Sequence, residues 1–505
     1  MARKDYSAVL EEEVSGIVRF KTAFLAVAIF FFAANGFAFF NTFPIHDAIL
    51  YVTIRNHAWQ VALGRFLIPF YLKLRGVTPA PFPILILSIL YLGASEYLVC
   101  LIMDLKKRLE IVLSCAFLSI NVATFEISAV HQYFADVFML ALLLSCLAVY
   151  LLHERVSAKK VLLAFALFFL SFGLYPAYLT FALCLFALLL LKMVYEGSAS
   201  EGKRKAAVWF LTIALAGAAY LLASRAALYV LHIQASDANQ SIFTLGKLSP
   251  ETIGKSIARN YRDFIRLFFT NGWFGRPGKI ATILLVVLAL GLFFSRLSLG
   301  KAALTIALLL LFPLGSRLVN IMTRNFAAYR TMYAQFLLFP ILIWLFSFGA
   351  RKLEKENIKK GLTLLLVFLS AIILWRNIQF SNYGFAYQHI LYDRSVQHVG
   401  VVMEDLREYA VEEDNEPVAV IGQFQLKQED MFAEYRSVEG FTACTGITYE
   451  QTFVKFCNRL GYDLNWSEVN SDAIKDTPEV EAMPCYPEEG YISEVNGYLV
   501  IKLSN

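Results

Sequence analysis

His46 and Asp47 stand side by side just beyond the first long apolar run, after Asn41-Thr42-Phe43-Pro44. A carboxylate placed there can take the proton of an attacking hydroxyl, which is general-base work, or hold a divalent cation. It can equally cap the helix that follows. Further along, Glu126, His131 and Asp136 gather in a short segment without basic residues. They can supply a second acid or bind sugar hydroxyls, although a carboxylate at a helix start accounts for Glu126 and Asp136 as well. Glu96 sits inside an apolar run, where an ionised carboxylate is costly and marks either function or a hydrogen-bonded structural group. Arg65, Arg317, Arg324 and Arg330 lie between apolar runs. A planar guanidinium binds phosphate oxygens bidentately, so these arginines point to a lipid-phosphate or pyrophosphate ligand. Headgroup anchoring is the alternative, and it suits Arg317 better than Arg330.

The elements that must position these groups are membrane spans. Of 505 residues 58% are hydrophobic and 17% charged, with a mean hydropathy of +0.57, whereas soluble domains are about a quarter charged. The formal charge is only +5, and the basic residues fall between apolar runs rather than in one tract. That distribution marks topology and argues against nucleic-acid binding. Runs at 23–40, 83–103, 111–125, 137–152, 161–174, 177–191, 206–224, 280–294, 302–315, 333–348 and 361–375 predict about eleven spans, each needing about 20 residues. The stretch 161–191 is too long for one span and is interrupted by Tyr175-Pro176, where proline removes a backbone donor and disfavours helix in the residue before it. A hairpin there is expected.

With that hairpin, the alternate loops 1–22, 104–110, 153–160, 192–205, 295–301 and 349–360 hold 21 Lys and Arg, while the short opposite loops 126–136 and 175–176 hold none. The positive-inside rule then places residues 1–22 in the cytoplasm, 23–375 across the membrane and 376–505 outside. The head carries Glu11, Glu12 and Glu13, a poor signal-peptide start, so the first run reads as a retained helix. In the outer loops 41–82 and 225–279, two stripes have helical spacing: Trp59, Leu63, Phe66, Leu67 and Phe70, then Ile253, Ile257, Tyr261, Phe264 and Phe268. Both fit interfacial helices, and both fit packing against neighbouring spans.

The tail turns acidic, with strand-like pieces at Val418 to Ile421 and Tyr498 to Leu503 and an amphipathic helix between Tyr449 and Leu460. A small α/β domain follows from that alternation. Seven cysteines are scattered without CxxC or zinc spacing, and outside the cell two of Cys444, Cys457 and Cys485 can pair. The fold class is therefore an all-α polytopic membrane protein with a small extracytoplasmic α/β domain.

Four pieces, FPIHDAI, WQVALGRFL, SFGLYPAYLTFAL and MPCYPEEGYISEVNGYLVIKLS, occur here in that order. With the topology they resemble the bacterial serotype-converting O-antigen glucosyltransferases, multi-span enzymes of the wider GT-C type. One departure is Pro176, where the family pattern has a polar residue such as glutamine after the tyrosine. The resemblance implies transfer of a sugar, typically glucose, from a polyprenyl-phosphate donor to a lipid-linked or surface glycan acceptor on the outer face of the cytoplasmic membrane. It implies Asp47 as catalytic base with His46 beside it, Arg65, Arg324 and Arg330 around the donor phosphate, and Glu126, His131, Asp136 and Tyr175 toward the sugar or acceptor. A lipid-linked-sugar flippase would instead want ionisable groups at mid-membrane, where only Glu96 is clearly placed, and no repeat links the two halves. A polysaccharide polymerase would use a lipid-diphosphate donor and need no soluble tail.

Overall fold

A computed structural model describes residues 12–41, 57–77, 80–154, 156–195, 199–236, 250–270, 275–295, 298–318, 328–351, 353–408, 417–424 and 450–505. The described chain forms two units. The larger comprises Met1–Phe37, Asn56–Ile127 and Phe134–Ser381, and the smaller comprises Ala38–Arg55, Ser128–Tyr133 and Asn382–Asn505.

The apolar runs fold as helices α1 (Gly16–Phe40), α4 (Pro81–Ile102), α5 (Arg108–Ser119), α6 (Val122–Val130), α7 (Ala135–His153), α8 (Ala158–Leu174), α9 (Leu179–Tyr195) and α10 (Ala199–Val230), with the short α2 (Ala58–Ala62) and α3 (Ile68–Arg75) in the first long loop. After them come α11 (Pro250–Ile265), α12 (Gly275–Phe294), α13 (Leu299–Ser316), α14 (Leu338–Ala350) and α15 (Glu356–Glu408). All eleven expected runs lie on helices. Among the described residues, eight helices are long and apolar enough to cross a membrane, or nine if α5 and α6, bent by 44°, form one span. The runs at 161–174 and 302–315 lie on shorter apolar stretches, α8 with 17 residues and the segment Gly300–Ser316 within α13. The protein is thus a multi-helix membrane protein by length and composition.

The bend between α5 and α6 has a local cause. Asn121 donates to the carbonyls of Phe117 and Leu118, while its own side-chain oxygen accepts from the amides of Ala123 and Thr124. One side chain satisfies the end of one helix and the start of the next, which lipid-depth backbone requires. Helices α7 and α8 are joined by Ser171, which donates to the Ala141 carbonyl and meets Ser145 at 2.8 Å. Gly349 lets α14 lie against α12, since a Cβ there would stand 2.8 Å from the Leu292 backbone.

The aromatic stripe of α11 serves packing in its second half. Tyr261 donates to the Leu310 carbonyl, Phe264 meets Phe312, and Phe268 meets Phe336 and Phe339. Ile253, in its first half, remains 38% exposed. In the earlier stripe Trp59 and Phe70 are exposed and Phe66 is buried against Tyr220.

The change of composition near Arg376 does not end a helix. No proline interrupts α15, and Val399, Val402, Met403 and Leu406 on its last turns enter the core of the smaller unit. That core also takes Phe453, Phe456 and Cys457 of α16 (Glu450–Arg459) and a three-stranded sheet. Strand β1 (Val418–Ile421) runs parallel to β3 (Tyr498–Lys502), which pairs antiparallel with β2 (Ile492–Val495). Asn496 and Gly497, both at positive φ, make the two-residue turn between β2 and β3. Two short helices, α17 (Glu468–Ile474) and α18 (Pro478–Ala482), complete the unit. Buried Lys502 donates to the carbonyls of Val480, Glu481 and Met483 at the C-terminal end of α18. Cys457 and Cys485 are free thiols, so they do not pair with each other, and Cys444 lies outside the described residues.

Gly422, just past β1, has φ +77°, and a Cβ would fall 2.3 Å from the Ser504 backbone oxygen. Gly422→Ala is expected to destabilise this unit by roughly 2–4 kcal/mol through combined strain and clash. Limited proteolysis of the tail checks this, and wild-type protection in the variant would contradict it.

Candidate active site

The first long loop is tied to the spans by backbone as well as side chains. Gly64, at φ +83°, turns the chain between α2 and α3, and the Leu67 amide donates to the Gly173 carbonyl at the end of α8. Arg65 is thereby held over two rings, its guanidinium carbon 5.0 Å from the Tyr175 centroid and 5.4 Å from that of Phe138. It also donates to the Gln60 side chain at 3.0 Å. The arginine is half-buried, and two aromatic faces attract such a cation by about 0.5–2 kcal/mol.

Tyr175 occupies the break between α8 and the 3-10 turn Pro176–Tyr178, with an extended φ of −154° that the following proline favours. The expected reversal is present, and α8 and α9 both pack on α7 and α10. Buried Tyr175 stacks on Phe138 at 4.1 Å and meets Tyr178 edge-on at 5.2 Å, and Tyr178 in turn meets Tyr333 at 6.0 Å. Tyr333 and Arg330 share the 3-10 segment Tyr329–Leu337 that opens α14. A continuous file of rings thus links the Arg65 loop to the Arg330 segment.

Asp136, in the first turn of α7, is fully buried with both oxygens engaged. Arg75 donates to one at 2.7 Å and Tyr71 to the other at 2.7 Å. Burial first, and then the Asp136 charge, push the Tyr71 phenol above its usual range, so it remains a donor. Glu126, also buried, accepts the Arg330 backbone amide at 3.0 Å and lies 3.8 Å from its guanidinium. Glu96 accepts the Ser119 hydroxyl on both carboxylate oxygens.

Arg317 departs from the headgroup-anchoring expectation. Its side chain is 2% exposed and pairs with Asp263 of α11 at 3.1 Å, because the amphipathic helix brings that carboxylate against the end of α13.

Of the residues expected to act, Arg65, Glu126, Asp136, Tyr175 and Arg330 lie in the larger unit, and His131 lies in the segment of the smaller one. His46, Asp47 and Arg324 are outside the described residues. Tyr71 and Arg75 escaped the sequence reading, although their spacing of four on one helix face beside a conspicuous Arg65 was a usable signal. No group of three or more His, Cys, Asp or Glu able to hold a metal occurs among the described residues.

The sequence model of the family described as Glucosyl transferase GtrII matches residues 36–341. The chain belongs to the GtrII glucosyl transferase family. The match covers more than half of the chain and takes in every candidate site residue, from His46 to Arg330. It stops within α14, before α15 and the sheet. No curated protein matches the chain. Family membership and the apolar helices together make it a membrane glycosyltransferase.

Proposed function

We propose that the protein transfers glucose from a polyprenyl-phosphate donor to a lipid-linked or surface polysaccharide at the outer face of the bacterial cytoplasmic membrane. In this reading the N-terminus is cytoplasmic and residues 376–505 form an extracytoplasmic domain. The observation that carries it is Arg65, half-buried beside Tyr175 and Phe138 in a glucosyl transferase with eight described helices long and apolar enough to cross a membrane. Arginine is the side chain whose planar fork matches two oxygens of a phosphate diester.

The step is a single displacement with inversion. Asp47 takes the proton of the acceptor hydroxyl as its oxygen bonds to the anomeric carbon, and the bond from that carbon to the phosphate oxygen breaks with its electron pair leaving on polyprenyl phosphate. His46 orients Asp47 or the acceptor. Arg65, Arg324 and Arg330 stabilise the negative charge on the leaving phosphate. His131 and Tyr175 meet sugar or acceptor, while Glu126 and Asp136 act through the groups they hold, Arg330 in one case and Arg75 with Tyr71 in the other.

The test supplies membranes containing the protein with polyprenyl-phosphate glucose labelled in the sugar, together with a glycan acceptor. Label in the glycan is expected. Transfer from a nucleotide sugar but not from the lipid-linked donor would overturn the reading. Arg65→Lys is expected to lower kcat/KM roughly 10–100-fold, the worth of charged hydrogen bonds of about 1.5–3 kcal/mol. An ammonium carries the same charge but lacks the planar fork that spans two phosphate oxygens. Equal kinetics for lysine and arginine would show that only net charge matters.

A further inference from the structure

Helix α10 carries two buried hydroxyls four residues apart, which places them on one face of the helix. Tyr220 is 5% exposed and Ser224 1% exposed, and neither the phenol oxygen nor the serine Oγ has a hydrogen-bond partner among the described residues. A helical serine or threonine facing an apolar medium commonly returns its hydroxyl to the carbonyl four residues back. Thr212 on the same helix does so, to Val208 at 2.7 Å, whereas Ser224 does not. In a helix long and apolar enough to cross a membrane, a hydroxyl left bare is costly, because neither water nor lipid replaces the missing partner.

Both hydroxyls belong to the surroundings of Arg65. Phe66, the next residue in the chain, stacks on the Tyr220 ring with centroids 6.1 Å apart, and Phe172 of α8 meets the same ring edge-on at 6.3 Å. The Arg65 charge acts on the phenol. Helix α2, which leads into the Arg65 turn, packs on α10, and beyond α10 the Ser236 amide donates to the Ala62 carbonyl at 3.1 Å. A guanidinium, a phenol and a serine hydroxyl have one property in common, a proton to donate. A phosphate diester accepts from all three, since its two unbridged oxygens carry the charge and no proton. A sugar hydroxyl brings a proton of its own, for which arginine has no acceptor.

We propose that Tyr220 and Ser224 are donor-binding residues, whose hydroxyls hydrogen-bond the phosphate of the lipid-linked sugar beside Arg65. The inference rests on the reading that Arg65 meets this phosphate, and it adds α10 as a second wall of the phosphate site. Because Phe66 stands on the Tyr220 ring, entry of the lipid turns that ring off the phenol. Neither hydroxyl takes part in bond making. Each holds the phosphate in place while the anomeric carbon reacts.

The test compares retention of polyprenyl phosphate and of polyprenol of the same chain length by the full chain in detergent micelles. Wild type is expected to prefer the phosphate. Tyr220→Phe and Ser224→Ala, which keep the ring and the helix, should each lower that preference roughly ten-fold, the worth of one hydrogen bond to a charged acceptor. Retention of polyprenol and the size-exclusion profile should stay as in wild type. A wild-type preference in either folded variant overturns the inference, and so does an equal loss of both lipids, which marks a packing role. Slower glucosyl transfer with phosphate retention intact assigns the hydroxyls to the sugar and overturns it too. If Arg65→Lys lowers the preference and the hydroxyl variants do not, the donor reading stands and this inference alone fails. If wild type retains both lipids equally, the donor reading itself fails.

Discussion

Asp47→Asn is expected to reduce transfer of labelled glucose by roughly 10²–10⁴-fold, the usual contribution of a positioned general base. The substitution separates the two roles that residue type and position leave open. As a helix cap, asparagine serves about as well as aspartate, because its side-chain oxygen accepts the same backbone amides. As a base it fails, because an amide oxygen does not hold the proton of an attacking hydroxyl. Thermal stability should therefore be unchanged whichever role Asp47 has, and transfer alone discriminates. Donor binding, followed by retention of the labelled lipid, should persist, since the base is needed only once the acceptor hydroxyl attacks. Transfer at the wild-type rate would remove Asp47 from the chemistry and return it to capping.

The second large effect is on stability. Asp136→Ala is expected to cost about 3–5 kcal/mol, because it leaves Arg75 charged in a buried place with no carboxylate opposite. The Arg75 side chain is 5% exposed and that of Asp136 is fully buried, so water replaces neither partner. Removing both charges together, as Arg75→Met with Asp136→Leu, should recover most of the loss, since an apolar pair of similar volume needs no hydration. Tyr71→Phe removes one hydrogen bond and should cost only about 1–2 kcal/mol. Unfolding of the detergent-solubilised protein, followed by size exclusion after heating, gives the order. A double loss equal to the sum of the losses from Arg75→Met and Asp136→Leu made singly would show that Arg75 and Asp136 are not coupled. The same series bears on catalysis, because α3 carries both Tyr71 and Arg75 and follows the turn that presents Arg65.

Much of this organisation is local and could be read from residue order. Hydropathy over windows near 20 residues reports the choice between lipid and water for each segment, and each of the eleven apolar runs is helical. The break at Tyr175-Pro176, the strand at Val418 to Ile421, the final strand and the helix ahead of it follow equally from short-range rules, proline sterics and alternation of apolar residues. The candidate arginines were visible too, because charge between apolar runs is conspicuous.

The partner of each charge was not visible, since pairing is fixed by three-dimensional proximity over long sequence separations. Arg317 looked like a headgroup anchor until Asp263, 54 positions earlier, was found against it. Asp136 looked available to a sugar, but Arg75 and Tyr71 occupy its oxygens from a helix 61 and 65 positions away. The continuity of α15 past Arg376 was hidden for a related reason. Composition changes near Arg376, but backbone hydrogen bonding depends only on the absence of a breaker, so α15 continues to Glu408 and its last turns pack as core of the smaller unit. Sequence alone determined that His46, Asp47 and Arg65 precede the second span in a glycosyltransferase-like order. Only the tertiary structure decided that Arg65 lies on Tyr175 and Phe138, because a cation finds an aromatic face through packing of helices far apart in the chain.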